Sequence, residues 1–456
     1  MKLFDDEAVT PEEVLAHPRH QAAQLTLVKL IEQLRACSNV EEGYAFQQEL
    51  LGHVLAVEED RNALSQVVKR LAAGRKPQVG APQPQSGRDP EAPETWQLEH
   101  DLCERVARQY RCVGDALAWR VFGFDRSHIL ALSRNQSPGV MAGKKGLARE
   151  RETVEQAYTQ DGRFALMHDL TNCLRIGDVT VFTDEGPVTD EVKNNPEKER
   201  RSTPQTRRIE AARRSLGGRD PLPGGEPCHR LHALDVSLQT HLDLLALGAD
   251  RAVRDGIFAT RVPGNRMLLV VDLLGCQAQG WTEAEFNERL VRQAAAARRR
   301  AKFNVGYDWI INATSLDSVS RDPRRVPFAA YPLHPVICAR LIGDICSFVV
   351  ESSGPGLAEA LNEAGLAAQW TRPPDTIDLA PGEVVMEIVS KTVTPMGMQV
   401  REDVRTLQMR RSELDRYLIE LVDQRTWTTG IRSLMFDPKL SGQPWPYYRD
   451  EYLVWA

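Results

Sequence analysis

Apolar residues recur at helical spacing through the N-terminal part of the chain. Thr10-Pro11-Glu12-Glu13 has the form of a capping box with proline at the first helical position. "QAAQLTLVKLIEQLRAC" continues the period. Ser38 can cap a further helix whose apolar face holds Phe46, Leu50, Leu51, Val54 and Leu55, and the pattern runs to about Ala73. The rhythm then stops. "GRKPQVGAPQPQSGRDPEAP" is rich in Pro, Gly and Gln and reads as a linker. Helical spacing resumes at "ETWQLEHDLCERVARQY", continues through "DALAWRVFGF", and returns from Gly146 to Tyr158.

The period next falls to two. "FALMHDL" (164–170), "IGDVTVF" (176–182) and "VTDEVKN" (188–194) read as three short strands. "TPQTRRIEAARRSL" reads as a helix with Thr203 as cap, and "GGRDPLPGGEPC" as a second break. "HALDVSLQTHLDLLAL" is expected to be helical, "GIFATRVPGNRMLLVVDLLG" to form a strand pair around a VPGN turn, and "TEAEFNERLVRQAAAARRRAKF" to form a helix. Strands and helices mix through the remainder. The expected class is α/β with mixed α+β character.

Totals narrow the picture. A chain of 456 residues is too long for one ordinary core. Its 42% hydrophobic and 26% charged content is that of a globular protein, and a net charge of −6 restricts any polyanion-binding surface to a local patch. No apolar run is long enough to span a bilayer, and the acidic start lacks an apolar signal core, so a cytoplasmic protein without a membrane partner is expected. Eight scattered cysteines form no CxxC pair and read as reduced thiols. Cys228, His229 and His232 resemble a metal cluster only faintly, for want of a fourth ligand.

The chemistry concentrates in the three-strand segment. Asp178 lies on the expected second strand and Glu191 on the third, with twelve residues between them. Lys193 shares a strand face with Glu191, because side chains alternate. Two close carboxylates call for a cation between them. Mg²⁺ or Mn²⁺ suits such oxygen donors, lowers the pKa of bound water and offsets charge on a phosphate. Asp178 and Glu191 are the expected metal ligands, and Lys193 the residue that orients water or stabilises developing charge. The competing reading is a cross-strand surface pair without chemistry.

In this order of elements, with Gly177-Asp178 and Glu191-Val192-Lys193, the segment resembles the PD-(D/E)XK nuclease superfamily. The resemblance covers about residues 146–215. It implies an αβββαβ core, with "RMLLVVDLLG" as a candidate further strand, and Mg²⁺-dependent endonuclease activity. The superfamily's proline is Gly177 here, and Ile209 stands where some relatives carry a tyrosine. An extra acid from the preceding helix is expected at Glu152 or Glu155, ahead of Glu150. His168, Asp169 and Gln205 are further accessory candidates.

From Lys193 to Arg214 the chain has eight Lys/Arg and three Glu. Arg200, Arg201, Arg207 and Arg208 are therefore candidates for binding nucleic-acid phosphates, with DNA favoured over RNA. No P-loop sequence occurs. The expected organisation is a helical region over 1–73, a linker over 74–94, a nuclease domain over 95–275 and an α/β accessory domain over 276–456. The helical region is the expected route to a homo-oligomer or a regulatory partner. By analogy with stand-alone nucleases of the superfamily, a place in bacterial defence is expected. A non-catalytic nucleic-acid-binding or assembly protein is the alternative.

Overall fold

The computed structural model describes residues 10–76, 82–134, 138–192, 204–216, 230–234, 237–303, 310–316, 325–371, 385–396, 399–410, 414–436 and 444–448. They belong to two compact units. The first holds Met1–Gly225, Val319–Tyr331 and Cys338–Gly343, and the second Glu226–Ser318, Pro332–Ile337 and Asp344–Ala456.

The first unit begins with α1 (Pro11–Ala16), α2 (Pro18–Ala36) and α3 (Val40–Ala72). Both halves of the Thr10–Glu13 capping box form, and Asn39, rather than Ser38, caps α3. The next helix, α4 (Pro93–Val121), is buried nearly all round from Leu102 to Trp119. A helix buried on nearly every side runs through a core, and its buried charged groups are bonded there: Arg105 to the Gly343 carbonyl, Arg111 to Glu58 and Asp115 to Asn172; α2 and α3 pack on it. Residues 85–88, ahead of α4, are tied down. Arg88 forms a fork with Glu13, and the backbone N–H groups of Gln85 and Ser86 donate to buried Glu99.

Three features of α3 and α4 place the chemistry-bearing segment. Glu58 of α3 and Arg111 of α4 form a buried ion pair at 2.5 Å. Asp115 accepts the backbone N–H groups of Asn172 and Cys173 at 2.6 and 2.9 Å. Gly114 lets the chain press close, since a Cβ there would lie 1.9 Å from the Leu170 carbonyl oxygen.

After α5 (Arg126–Leu132) and α6 (Leu147–Thr159) comes an antiparallel sheet of β1 (Ala165–Met167), β2 (Val179–Thr183) and β3 (Gly186–Asp190) in sequence order. Met167 pairs with Val179, and Val179 with Asp190. The strands are shorter than their apolar patterns. β1 gives way to a 3-10 turn at His168–Leu170, and β3 stops at Asp190, before Glu191. Helix α7 (Pro204–Leu216) follows and packs on α5.

The second unit opens with β4 (Arg230–Leu234) and α8 (Leu242–Asp255). The single helix expected from 232 therefore starts ten residues late, behind a strand that pairs in parallel with β12 (Pro444–Tyr448). A four-stranded antiparallel sheet has the order β5-β6-β8-β7, from β5 (Ile257–Val262), β6 (Arg266–Asp272), β7 (Ile310–Thr314) and β8 (Cys346–Ser353). Ile257, Ala259, Met267 and Leu269 face Ala294 and Ala297 of the Glu283–Arg300 helix. On the other face, Gly248 of α8 meets Phe258, Leu268 and Val270. A third sheet joins β9 (Ala367–Thr371) to the long hairpin β10 (Val385–Met396) and β11 (Gln399–Arg410).

Two expectations are corrected. "RMLLVVDLLG" is β6, paired with β5 and β8, and it adds nothing to the β1–β3 sheet. Its alternate side chains are buried against two helices, so it is a central strand of the second unit. The unit boundary follows Gly225 rather than residue 275, and the helical N-terminal region belongs to the same unit as the β1–β3 sheet. The mixed α/β class stands. Among the described residues the cysteines are free thiols, and no helix is long and apolar enough to cross a membrane.

Candidate active site

Asp178 immediately precedes β2, and Glu191 immediately follows β3. The Val179–Asp190 pairing continues outward through the backbone bond from Asp178 N–H to the Asp190 carbonyl, 2.9 Å. This brings Asp178 opposite Glu191. The carboxylate of Asp178 is fixed by the Val192 N–H, which donates to Oδ2 at 2.9 Å. Glu191 Oε2 accepts from the Thr206 hydroxyl of α7 at 3.0 Å.

Gly177 makes the approach to β2 possible. Its φ of +80° lies in the region open to glycine, and a Cβ would sit 2.4 Å from Thr189 Cγ2. Proline, locked near −65°, could not replace it.

Beside the hairpin, one ammonium gathers three carboxylates. Lys144 Nζ lies 2.8 Å from Glu150 Oε1, 2.7 Å from Asp169 Oδ2 and 3.8 Å from Asp178 Oδ1. The acids come from α6, from the turn after β1 and from the entry to β2. Buried groups hold two of the backbones concerned. Arg111 donates to the Asp169 carbonyl at 2.9 Å, and Glu58 accepts the Met141 and Ala142 N–H groups at 2.6 and 2.9 Å.

The inward acid of α6 is Glu150, a correction to the expected Glu152 and Glu155. Glu150 is buried with Val154 and Ala157, which follow it at helical spacing on one face. Glu152 lies exposed on Arg149 at 2.5 Å, and Glu155 is exposed.

Charge in the cluster is out of balance. Burial raises the pKa of Glu150; Lys144 opposes that rise, while Asp169 and Asp178 add to it. Burial also raises Asp178, with Asp169 and Glu191 adding and the Val192 N–H and Lys144 opposing. Burial works against the Lys144 ammonium, but Asp169 and Glu150 outweigh it and lift its pKa above the ordinary lysine range. Among the described residues one ammonium, Lys144, thus faces three acids, and Glu191 also perturbs Asp178. Such a group favours a further positive charge.

Among the described residues no three His, Cys, Asp or Glu side chains stand arranged as metal ligands. The Lys144 ammonium occupies the point where the carboxylates meet. The donors nonetheless suit a hard cation. Glu150 Oε2 is buried and has no hydrogen-bond partner. An unsatisfied carboxylate oxygen among others is what an oxygen-seeking divalent ion requires.

The other candidates divide. Asp169 joins the cluster. His168 is buried: its Nε2 contacts the Thr180 hydroxyl at 2.7 Å, which meets that of Thr189 at 2.7 Å. Burial lowers its pKa to about 4, so it is a neutral thread through the sheet. Gln205 donates to the Arg175 carbonyl at 3.4 Å and meets Arg208 at 3.5 Å. Arg207 is exposed on α7. Arg213 bonds the Thr189 carbonyl at 2.7 Å and Asp190 at 3.2 Å, clamping α7 to β3. Lys193, Arg200 and Arg201 lie outside the described residues, as do Cys228, His229 and the side chain of His232.

Sequence reasoning missed Lys144. The available signal was "MAGKKG", a lysine between glycines just ahead of a helix that opens with a glutamate on its apolar face.

No family model, no curated protein and no solved structure matches this chain.

Proposed function

We propose that the chain is a divalent-metal-dependent nuclease that hydrolyses phosphodiester bonds of nucleic acid, with DNA as the favoured substrate. One observation carries the reading: Glu150, Asp169 and Asp178 converge beside the β2–β3 hairpin, with more negative charge than Lys144 balances. Asp178 and Glu191 would hold Mg²⁺ or Mn²⁺, with Glu150 and Asp169 as further oxygen donors. A bound ion of this kind supplies a Lewis acid for the phosphate and an acidified water.

The chain's own residues set the geometry. The Val192 N–H holds the Asp178 carboxylate in one orientation, and the Thr206 hydroxyl does the same for Glu191. Arg207 and Arg208 stand on α7, whose Thr206 touches the site, so they can meet backbone phosphates next to it. Lys193 keeps the role assigned from sequence, orienting water or countering charge.

A second reading has its own observation. Lys144 satisfies the carboxylates in part, as it would in a purely structural cluster of a nucleic-acid-binding or assembly protein. A cleavage panel separates the two. Wild type and Asp178→Asn are incubated with supercoiled plasmid, linear duplex, single-stranded DNA and RNA, each with Mg²⁺, Mn²⁺ or EDTA. Metal-dependent cleavage by the wild type that Asp178→Asn abolishes supports the nuclease. Absence of cleavage together with absence of calorimetric metal binding overturns it and favours the binding module.

A further inference from the structure

We infer that Lys144 is an internal cation occupying the part of the proposed metal site formed by Glu150, Asp169 and Asp178, and that a divalent ion enters by displacing it. The inference rests on the proposed metal site and specifies how that site is gated. Three observations carry it.

First, the Lys144 ammonium touches carboxylates from three separate elements, at 2.8, 2.7 and 3.8 Å. A group that bridges α6, the turn after β1 and the entry to β2 sits at their common point. Any ion using Glu150, Asp169 and Asp178 together would compete for that place.

Second, the exchange improves the charge balance. Three carboxylates with one ammonium sum to −2 (−3 + 1), and with a divalent ion in its place to −1 (−3 + 2). Glu150 Oε2, buried and unpartnered beside the ammonium, gains a ligand role that Lys144 does not give it.

Third, Lys144 has a way out. Its side chain is 32% exposed, whereas that of Glu150 is 2% exposed. It stands between Gly143, at φ +84°, and Lys145-Gly146, and a Cβ on Gly143 would meet nothing within 4 Å. A lysine has four rotatable side-chain bonds and is strongly hydrated. It can swing into water while the acids stay fixed by α6, by Arg111 and by the β2–β3 hairpin. Binding metal and releasing Lys144 become one event, so the chain resists scavenging weakly available ions.

Two measurements on the full chain test this. The first is Mn²⁺ titration calorimetry on wild type, Lys144→Met and Asp178→Asn. Lys144→Met is expected to bind Mn²⁺ at least about tenfold more tightly than wild type, because the ion no longer competes with an ammonium for the same carboxylates, and Asp178→Asn to bind less. Binding detected only in Lys144→Met would show that Lys144 blocks the position without being displaced, and would overturn the displacement. The second needs no lysine variant and guards against a misfolded Lys144→Met. Acetic anhydride labelling of Lys144 is followed by peptide mass spectrometry, with exposed Lys145 as internal control. Saturating Mn²⁺ is expected to raise Lys144 labelling severalfold in wild type, leaving Lys145 unchanged, and to have no effect in Asp178→Asn.

Mn²⁺ binding that Asp178→Asn abolishes, with unchanged Lys144 labelling or with unchanged affinity in a folded Lys144→Met, would overturn the displacement and leave the metal site standing. No Mn²⁺ binding in wild type or Lys144→Met would overturn both.

Discussion

The Val192 backbone donates its N–H to Asp178 Oδ2 at 2.9 Å, so the carboxylate at the entry to β2 is aimed by the backbone immediately after Glu191. An amide oxygen can accept the same bond, and a methyl group cannot. Asp178→Asn is therefore expected to match or exceed wild-type thermal stability, because it also removes a partly buried charge beside Asp169 and Glu191. Asp178→Ala is expected to cost about 1–2 kcal/mol for the orphaned N–H. Thermal denaturation distinguishes the pair. Both substitutions should reduce metal-dependent cleavage by at least about 100-fold.

The Glu58–Arg111 pair is buried, and each partner has further bonds to satisfy. Breaking it from one side strands a charge. Glu58→Gln and Arg111→Met are each expected to cost about 3–5 kcal/mol, with the double substitution Glu58→Gln/Arg111→Met well below their sum. Urea unfolding of the three variants decides; simple additivity would show that the two charges do not depend on each other.

Acid should weaken the fold through two histidines. Burial holds His20 and His168 neutral, with pKa values down to about 4. In the unfolded chain each takes a proton near pH 6.5. The stability gained by keeping them neutral is fully present above about pH 6.5 and drains away as the pH falls toward about 4. Glu150 and Asp178 act in the opposite sense, since their raised pKa values favour the folded state as they gain protons. The histidine contribution is isolated by comparing wild type with His168→Gln. Between pH 7.5 and pH 5, wild type should lose about 2 kcal/mol more than the variant. Parallel pH profiles would rule out His168 as the source.

Two glycines should resist substitution for different reasons. Gly177→Ala meets both a left-handed φ and Thr189 Cγ2 at 2.4 Å, and is expected to cost about 2–4 kcal/mol. Gly114→Ala drives a Cβ to 1.9 Å from the Leu170 carbonyl oxygen. No rotamer relieves a clash with backbone, so it should cost more than Gly177→Ala. Circular dichroism melts of the two proteins test that order.

Much of the first unit was legible because its signals are local. The Thr10–Glu13 box, the helical period of α3 and the strand–turn–strand from Val179 to Asp190 are each written within a few residues. The misreadings share one cause: the deciding information lies elsewhere in the chain. Glu150 and Glu152 sit on the same short helix, and only the packed face selects the first. β6 has the composition of a core strand, yet nothing local says which sheet receives it. Lys144 falls in a loop whose position depends on Glu58, 83 residues earlier for the nearest bond. The sequence puts Asp178 and Glu191 on paired strands; both lie one residue beyond the strand ends, since apolar pattern does not mark where pairing stops.

The reach of Glu58 has a consequence for how this protein could have been assembled. A Pro- and Gln-rich stretch invites the view that the helices before it are an interchangeable attachment. Yet one carboxylate in those helices anchors the loop bearing Lys144, and its arginine partner anchors the backbone at Asp169. Recombination at that stretch would separate the site from its own foundations. A descendant that kept only the strands and the acids would keep the letters of the site without the carboxylate that holds the Lys144 loop.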